Sequence, residues 1–201
     1  MIETVSLDRQ RQQDLPLRAR KKLDSMRRAQ AAAIRLFARR GFGGVSMEEV
    51  AAASDVSPAS LYRYFGTKEN LIIWDEDDDP LFDRVARHLR TMPPLQAFAA
   101  AIVEALGPSF ETGREARSGR LRLIFREPAL RSAFRENGRL LAQGLARVFA
   151  SGRAAAAPSL GDLALAAAAA AILEVAVERW ATGGAETRLA QIISEAFECL
   201  A

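Results

Sequence analysis

The fold is decided by residues 46–71, which read SMEEVAAASDVSPASLYRYFGTKENL. Two helix start signals lie close together in this stretch. Ser46 is followed three residues later by Glu49, which is the pattern of a capping box. Ser57 precedes Pro58, a residue that fits the first turn of a helix. The signals therefore predict two short helices, over residues 47–53 and 58–65.

The connection between these two helices, residues 54–56, is too short for anything but a tight turn. Two short helices joined in this way form a helix-turn-helix, whose second helix can enter the major groove of DNA. Val50, Val56 and Leu61 are spaced to face a shared small core. Such a core would hold the second helix rigidly, with its N-terminal end and outer face exposed.

The second helix and the neighbouring helix starts carry side chains suited to DNA. The small residues at its beginning would let the helix end approach base edges, and Arg63 offers a guanidinium to a guanine edge or a phosphate. The tyrosines on either side of Arg63 and the ammonium of Lys68 suit phosphate, as do backbone N–H groups at helix starts. The alternative is a structural helical hairpin with exposed tyrosines. The predicted DNA contacts are Ser46, Ser57, Pro58, Ala59, Ser60, Tyr62, Arg63, Tyr64 and Lys68.

Positive charge is concentrated in the first third of the chain. Up to Lys68 there are 13 Lys and Arg against 7 Asp and Glu, a net of +6; the remainder has 15 against 18, a net of −3, so the whole chain carries +3. Most of the excess lies in residues 18–22 and 27–28. This distribution indicates that one segment faces a polyanion, although a flexible solvated tail would show the same charge.

Residues 27–73 resemble the N-terminal domain of the TetR family of bacterial repressors. The matching sequence includes RLFARRGFGGV, residues 35–45, directly before the stretch quoted above. The resemblance implies that Ser57 to Tyr64 form the recognition helix. It also implies phosphate contacts from the two tyrosines and Lys68, with Pro58 to Ser60 and Arg63 near bases.

This sequence departs from the family pattern at two places. Asp55 occupies a turn position that is commonly glycine, and aspartate tolerates a left-handed backbone, so we expect the turn to form. Ala29 and Gln30 stand in the first helix where larger aliphatic residues are usual. That difference predicts looser packing beneath the domain.

Abundant alanine and the spacing of Gly and Pro predict an all-α chain of about nine helices. The domain organisation we predict is a flexible basic arm over residues 1–17, a helix-turn-helix DNA-binding domain over 18–68, and a ligand-binding and dimerisation domain over 69–201. The first helix is predicted from Arg18 to Arg40. The last two are predicted over 159–182 and 185–200, separated by Gly183-Gly184.

The second domain matches no motif, so its role is what the family resemblance implies. The alanine-rich stretch 163–173 would pair with the last helix in a four-helix dimer interface, because two recognition helices on a palindromic operator require a dimer. The alternative is an internal core helix of a monomer. The predicted interface residues are Ala168, Ile172, Leu189, Ile193 and Phe197.

An apolar cavity for an effector is predicted among the aromatic residues, at Trp74, Phe98, Phe125 and Trp180. The sequence WDEDDDP, residues 74–80, resembles a stretch in a TetR subgroup associated with acyl-CoA-type ligands. Five arginines between residues 114 and 126 suggest an anionic ligand or, alternatively, an ordinary solvated face. The effector is therefore expected to be small and apolar or acyl-type.

Other classes of protein fit the sequence less well. No membrane span is expected, because the longest apolar run covers only residues 163–173. No signal segment is seen and Cys199 is the only cysteine, which predicts a cytoplasmic protein with no metal site and no cofactor. His88 is the only histidine and lies in no catalytic motif, so no enzyme is expected. The alternatives are a helical protein that binds RNA or acidic surfaces, and a small enzyme that depends on His88.

The combined prediction is a ligand-responsive, sequence-specific transcriptional regulator. It is expected to be a homodimeric repressor that binds a palindromic double-stranded DNA operator and is released by a small-molecule effector, with no membrane partner.

Overall fold

This computed structural model describes residues 16–75, 81–106, 113–183 and 187–199. Over these residues the chain forms helices and no strands, so the predicted all-α class is confirmed. Ten helices are present where about nine were expected. They are α1 (Leu17–Arg40), α2 (Met47–Ser54), α3 (Pro58–Phe65), α4 (Lys68–Ile73), α5 (Leu81–His88), α6 (Pro94–Ala105), α7 (Arg114–Arg126), α8 (Pro128–Gly152), α9 (Leu160–Thr182) and α10 (Leu189–Glu198).

The first compact unit contains the described residues up to Trp74 together with Leu123–Ala133. The buried face of α1 consists mainly of small residues and contains one large aromatic residue, Phe37. The helix ends at Gly41, whose φ of 76° is a conformation that glycine adopts without steric cost. The helices α2, α3 and α4 all pack on α1. Their fully buried side chains are Val50, Leu61, Leu71 and Ile72.

The positive charge of the first third lies on α1. Residues 1–15, most of the predicted arm, lie outside the described residues. Residues 1–17 hold two arginines and three acidic residues. The basic clusters 18–22 and 27–28, by contrast, lie within the first three turns or so of α1. The predicted boundary between Lys68 and Glu69 lies inside α4, and the first unit continues to Trp74.

The second compact unit contains the described parts of Asp75–Arg122 and 134–201. Here α6 packs against α5, α9 and α10, and α9 packs against α10. Phe98 of α6 meets Phe197 of α10 edge to face, with ring centroids 5.7 Å apart. The indole Nε1 of Trp180 donates to the Thr187 carbonyl at 3.0 Å. Both Phe98 and Trp180 are fully buried, so they belong to the core of this unit.

The helix α9 is longer than the apolar run noted in the sequence. It has 23 residues, and the mean hydropathy of its most apolar 18-residue window is 2.0, so by length and composition it could cross a membrane. The sequence criterion did not register this helix because it counted only an uninterrupted apolar run. One such helix is weak evidence for a membrane. Near the start of α9, the buried carboxylate of Asp162 pairs with Arg153 and forms a capping box with Ser159.

Candidate nucleic-acid interface

The start of α2 and the turn after it have the geometry that the sequence signals predict. The Ser46 hydroxyl accepts the Glu49 N–H at 3.1 Å, and the Ser46 N–H donates to the Glu49 carboxylate at 2.8 Å. At the other end Asp55 adopts a left-handed conformation, with φ 53° and ψ 44°, and its N–H donates to the Ala51 carbonyl. The expectation that aspartate would support this turn is confirmed.

The helix α3, which was predicted to be the recognition helix, is capped by Ser57 and follows directly after this turn. The Ser57 hydroxyl accepts the Ser60 N–H at 3.2 Å, and Pro58 occupies the first turn. Leu61 and Phe65 face the core. This arrangement leaves Pro58, Ala59, Tyr62 and Arg63 exposed on the outer face, with Ser60 and Tyr64 half-buried beside them.

Arg63 lies along the surface of its own helix. Its Nη2 donates to the Ser60 hydroxyl at 3.1 Å and to the Tyr64 hydroxyl at 3.4 Å, and the guanidinium lies 5.0 Å from the centroid of the Tyr64 ring. The same guanidinium lowers the pKa of the Tyr64 hydroxyl. Because the guanidinium has five N–H donors, donors remain for a base edge or a phosphate while these contacts persist.

The side chain of Tyr62 connects its own helix, α3, to α2. Its hydroxyl donates to a carboxylate oxygen of Glu48 at 3.1 Å, and this hydrogen bond raises the pKa of Tyr62. The ring is 47% exposed. A phosphate that accepts from the Tyr62 hydroxyl must therefore replace Glu48, whose negative charge opposes an approaching phosphate.

Lys68 has partners that the sequence did not indicate. Its ammonium donates to the carbonyl of Phe42 at 2.8 Å and to that of Val45 at 3.0 Å, and lies 4.2 Å from the centroid of the Phe42 ring. Two of its three N–H donors are directed at backbone. The side chain therefore ties the start of α4 to the loop between α1 and α2, and its contact with phosphate stays a prediction.

Gln30 has a structural role that its sequence pattern did not indicate. This α1 residue was expected to loosen packing, but its side-chain amide donates to the carbonyls of Leu71 at 3.1 Å and Trp74 at 2.7 Å. Ala29 beside it is fully buried. The available signal was a long amide side chain directly beside the small residues of the buried face of α1.

The four predicted pocket residues fall in two different units. Trp74 and Phe125 belong to the first unit, and the Trp74 ring lies edge to face with Phe65, with centroids 5.9 Å apart. Phe98 and Trp180 belong to the second. The acidic run of the WDEDDDP stretch covers Asp75 to Asp79. Asp75 accepts from Arg120 at 2.5 Å, and residues 76–79 lie outside the described residues.

The predicted interface residues also differ in their surroundings. Leu189, Ile193 and Phe197 of α10 are at most 5% exposed, because they pack within their own chain. Ala168 and Ile172 of α9 are half-buried. The side of α9 that faces away from its own chain consists of small and apolar residues at three- and four-residue spacing. We call Leu160, Ala164, Ala167, Ala171 and Val175 the outer face of α9.

His88 takes part in a cluster of charged groups in the second unit. Its Nε2 lies 3.0 Å from a carboxylate oxygen of Glu104, which also pairs with Arg84 and Arg87. These cations, Arg87 first, lower the pKa of Glu104 to about 2. Within the described part of the chain, no group of three or more His, Cys, Asp or Glu residues could hold a metal ion.

Comparison with known proteins places both regions in one family. The family model described as "Bacterial regulatory proteins, tetR family" matches residues 30–73, and the model described as "MftR C-terminal domain" matches residues 92–201. No curated protein matches the chain.

Two solved structures show the same fold. FadR from Thermus thermophilus, a TetR family transcriptional repressor in complex with lauroyl-CoA, is 22% identical with a TM-score of 0.53, over 87% of this chain and 92% of that one. NalD from Pseudomonas aeruginosa, the secondary repressor of a multidrug efflux pump, is 19% identical with a TM-score of 0.52, over the same shares. With these matches and its helix-turn-helix, the chain belongs to the TetR family of bacterial transcriptional regulators, which are DNA-binding proteins and not enzymes.

Proposed function

We propose that this regulator is a homodimeric cytoplasmic repressor that binds a palindromic operator through α3 and is released by a small apolar or acyl-type effector. The observation that carries the proposal is the outer face of α3. It presents small residues and an exposed guanidinium on a helix that is fixed from below by Leu61 and Phe65. Rigid presentation of such side chains is what base readout in the major groove requires.

The contacts divide into those near bases and those on phosphate. Pro58, Ala59, Ser60 and Arg63 lie near bases, because they occupy the start and outer face of α3. Ser46, Ser57, Tyr62, Tyr64 and Lys68 contact phosphate, through hydroxyl groups, backbone N–H groups or an ammonium. The basic clusters of α1 add attraction for the DNA backbone, so affinity falls steeply with salt concentration.

The dimer forms through the outer face of α9. Leu160 is 83% exposed and Val175 is 65% exposed, and the alanines between them allow two helices to approach closely. Exposed apolar surface of this extent on one helix is typical of an interface between subunits. Ala168 and Ile172 lie at its edge, whereas Leu189, Ile193 and Phe197 support it from within the protomer.

Two observations support an acyl-type effector: the ligand of one structural relative, and the side chains of the second unit. FadR from Thermus thermophilus, which shares the fold, was solved with lauroyl-CoA. The core of the second unit offers apolar aromatic residues such as Phe98 and Trp180, and the arginine-rich helix α7 supplies positive charge suited to a phosphorylated carrier. An acyl chain with an anionic head group would use both.

Selection of DNA from a random duplex library tests the proposal. The library contains a random segment of about three helical turns, long enough for two half-sites. We expect the wild-type chain to enrich an inverted repeat, and the Arg63→Ala variant to enrich a repeat without base preference at one position of each half-site. Recovery of unrelated sequences, or equal binding to RNA and to acidic vesicles, would contradict the proposal.

The effector is tested on the complex with the selected duplex. We expect lauroyl-CoA to release the DNA, whereas coenzyme A without an acyl chain leaves it bound. If neither compound changes the bound fraction, the acyl-type effector is wrong while DNA binding still stands.

A further inference from the structure

The side-chain amide of Gln30 caps the C-terminal end of α4 by contacting its last carbonyl groups. It lies 2.7 Å from the Trp74 carbonyl oxygen, 3.1 Å from that of Leu71 and 3.4 Å from that of Ile72. An amide NH₂ has two hydrogens, so the two shorter contacts are the main hydrogen bonds. Gln30 belongs to α1, and 44 residues separate it from Trp74. These hydrogen bonds therefore connect two distant segments of the first unit.

A helix of this size needs such a partner. The last carbonyls of a helix lack intrahelical donors, and a helix of six residues gains little from its own hydrogen bonds. At its start α4 is capped by Thr67, whose hydroxyl accepts the Asn70 N–H at 3.2 Å. Leu71 and Ile72 of α4 are fully buried, so these side chains hold α4 in the core of the first unit. Gln30 fixes the position of its C-terminal backbone.

The residue held by Gln30 contacts the recognition helix. The Trp74 ring meets the ring of Phe65 edge to face at 5.9 Å, and Phe65 is the last residue of α3. Edge-to-face aromatic pairs have a preferred geometry, so a shift of one ring is felt by the other. The backbone of Trp74 is thus anchored to α1 while its ring lies behind the end of α3.

We infer that Gln30 is a positioning residue for DNA binding. It holds Trp74 against Phe65 and so sets the orientation in which α3 is presented to the operator. The inference rests on the proposed function only in that affinity for DNA is one of its readouts. Gln30 itself touches no DNA, and it acts through the carbonyl of Trp74.

The test compares three variants of the full-length protein. Gln30→Leu keeps the size of the side chain and removes both donors, whereas Gln30→Lys supplies an ammonium that can donate to the same carbonyls. Gln96→Leu makes the same change on an exposed position of α6 and serves as the control. The DNA probe is the duplex enriched by the wild-type chain. The tryptophans carry 5-fluorotryptophan, and Trp74→Phe assigns the two ¹⁹F signals.

We expect Gln30→Leu to bind the duplex about tenfold more weakly, as loss of a hydrogen bond to a part-buried carbonyl implies. Its Trp74 signal should shift while the Trp180 signal stays in place. Gln30→Lys should keep affinity close to that of wild type, and Gln96→Leu should match wild type in both readouts.

Three results would overturn the inference. One is a Gln30→Leu variant with unchanged affinity and an unchanged Trp74 signal. Another is a shift of both tryptophan signals with a lower melting temperature, which indicates general destabilisation. The third comes from a double-mutant cycle of Gln30→Leu with Trp74→Leu. Should Gln30→Leu not fold, Gln30→Met, which also lacks both donors, replaces it. Additive losses would show that the two residues do not act together. If wild type selects no DNA, the proposed function fails, and the ¹⁹F signals still decide the inference.

Discussion

The outer faces of α3 and α9 are both exposed, yet they are built in opposite ways. On α3 the polar side chains already have partners within the chain: Tyr62 donates to Glu48, and Arg63 donates to Ser60 and Tyr64. On the outer face of α9 there are apolar side chains such as Leu160 and Val175, which are 83% and 65% exposed.

This difference determines how each face gains free energy on binding. A polar side chain on α3 exchanges one hydrogen bond for another, so each contact contributes a modest net amount and mainly selects the sequence that is bound. Apolar surface on α9 gains by leaving water, at roughly 25 cal/mol per Å². We therefore expect α9 to supply most of the dimer stability and α3 most of the specificity.

The largest effect is expected from a charge on the outer face of α9. Val175→Glu places a carboxylate in the dimer interface twice, once per protomer, and an unpaired buried charge costs several kcal/mol. We expect the dimer dissociation constant to rise at least about 100-fold. Sedimentation equilibrium measures it, with Met92→Glu as the control because Met92 is an exposed apolar residue outside α9. An unchanged dimer dissociation constant would contradict the proposal that the outer face of α9 forms the dimer interface.

The next effect concerns the guanidinium on α3. Arg63→Met should cost about 1–3 kcal/mol of binding free energy and relax base preference at one position of each half-site, as loss of a base contact does. Binding to a panel of single-base variants of the selected duplex measures both. A uniform loss across the panel would instead assign Arg63 to phosphate.

Substitution of Lys68 separates its structural role from its predicted contact with DNA. Lys68→Met leaves the Phe42 and Val45 carbonyls without this donor. We expect the free energy of unfolding to fall by about 1–3 kcal/mol, because two carbonyls lose a donor. We also expect the log–log salt slope of DNA binding to fall by about one unit, because the third N–H of the ammonium contacts a phosphate. An unchanged slope would mean that Lys68 has only the structural role. The control for loss of one positive charge is Arg90→Met, at an exposed position of the second unit. A variant of normal stability whose log–log salt slope falls by about one unit would show that Lys68 mainly contacts phosphate.

The smallest effect is expected at Glu48. Glu48→Gln removes a negative charge beside the DNA surface and weakens the competitor for the Tyr62 hydroxyl. We expect binding to become about threefold tighter, because exposed charge interactions contribute less than 1 kcal/mol. Glu115→Gln on α7 is the control for loss of one negative charge. Weaker binding by Glu48→Gln would mean that Glu48 assists Tyr62 by orienting it.

The sequence predicted the helix-turn-helix well because its signals are local. The caps at Ser46 and Ser57 and the left-handed Asp55 involve residues only three or four positions apart. The partners of Lys68 and Gln30 lie 23 to 44 residues away, so no local pattern indicates them. A tertiary contact decides the role of such side chains.

For α9 the sequence-based prediction was limited for a different reason. Alanine occupies nearly every side of this helix, so periodicity could not tell its buried side from its exposed one. The apolar pattern of α10 was clear, but it could not show whether Leu189, Ile193 and Phe197 pack within the chain or against a second copy. The structure shows that they pack within it.

Hydroxyl-radical footprinting on the selected duplex, combined with the number of chains bound, tests the central claim most directly. Two recognition helices joined by a dimer through α9 should protect two segments related by a dyad, with centres about 10 base pairs or a multiple of that apart. Two chains should be bound per pair of protected segments. A single protected segment with one bound chain, or no protected segment, would contradict the account.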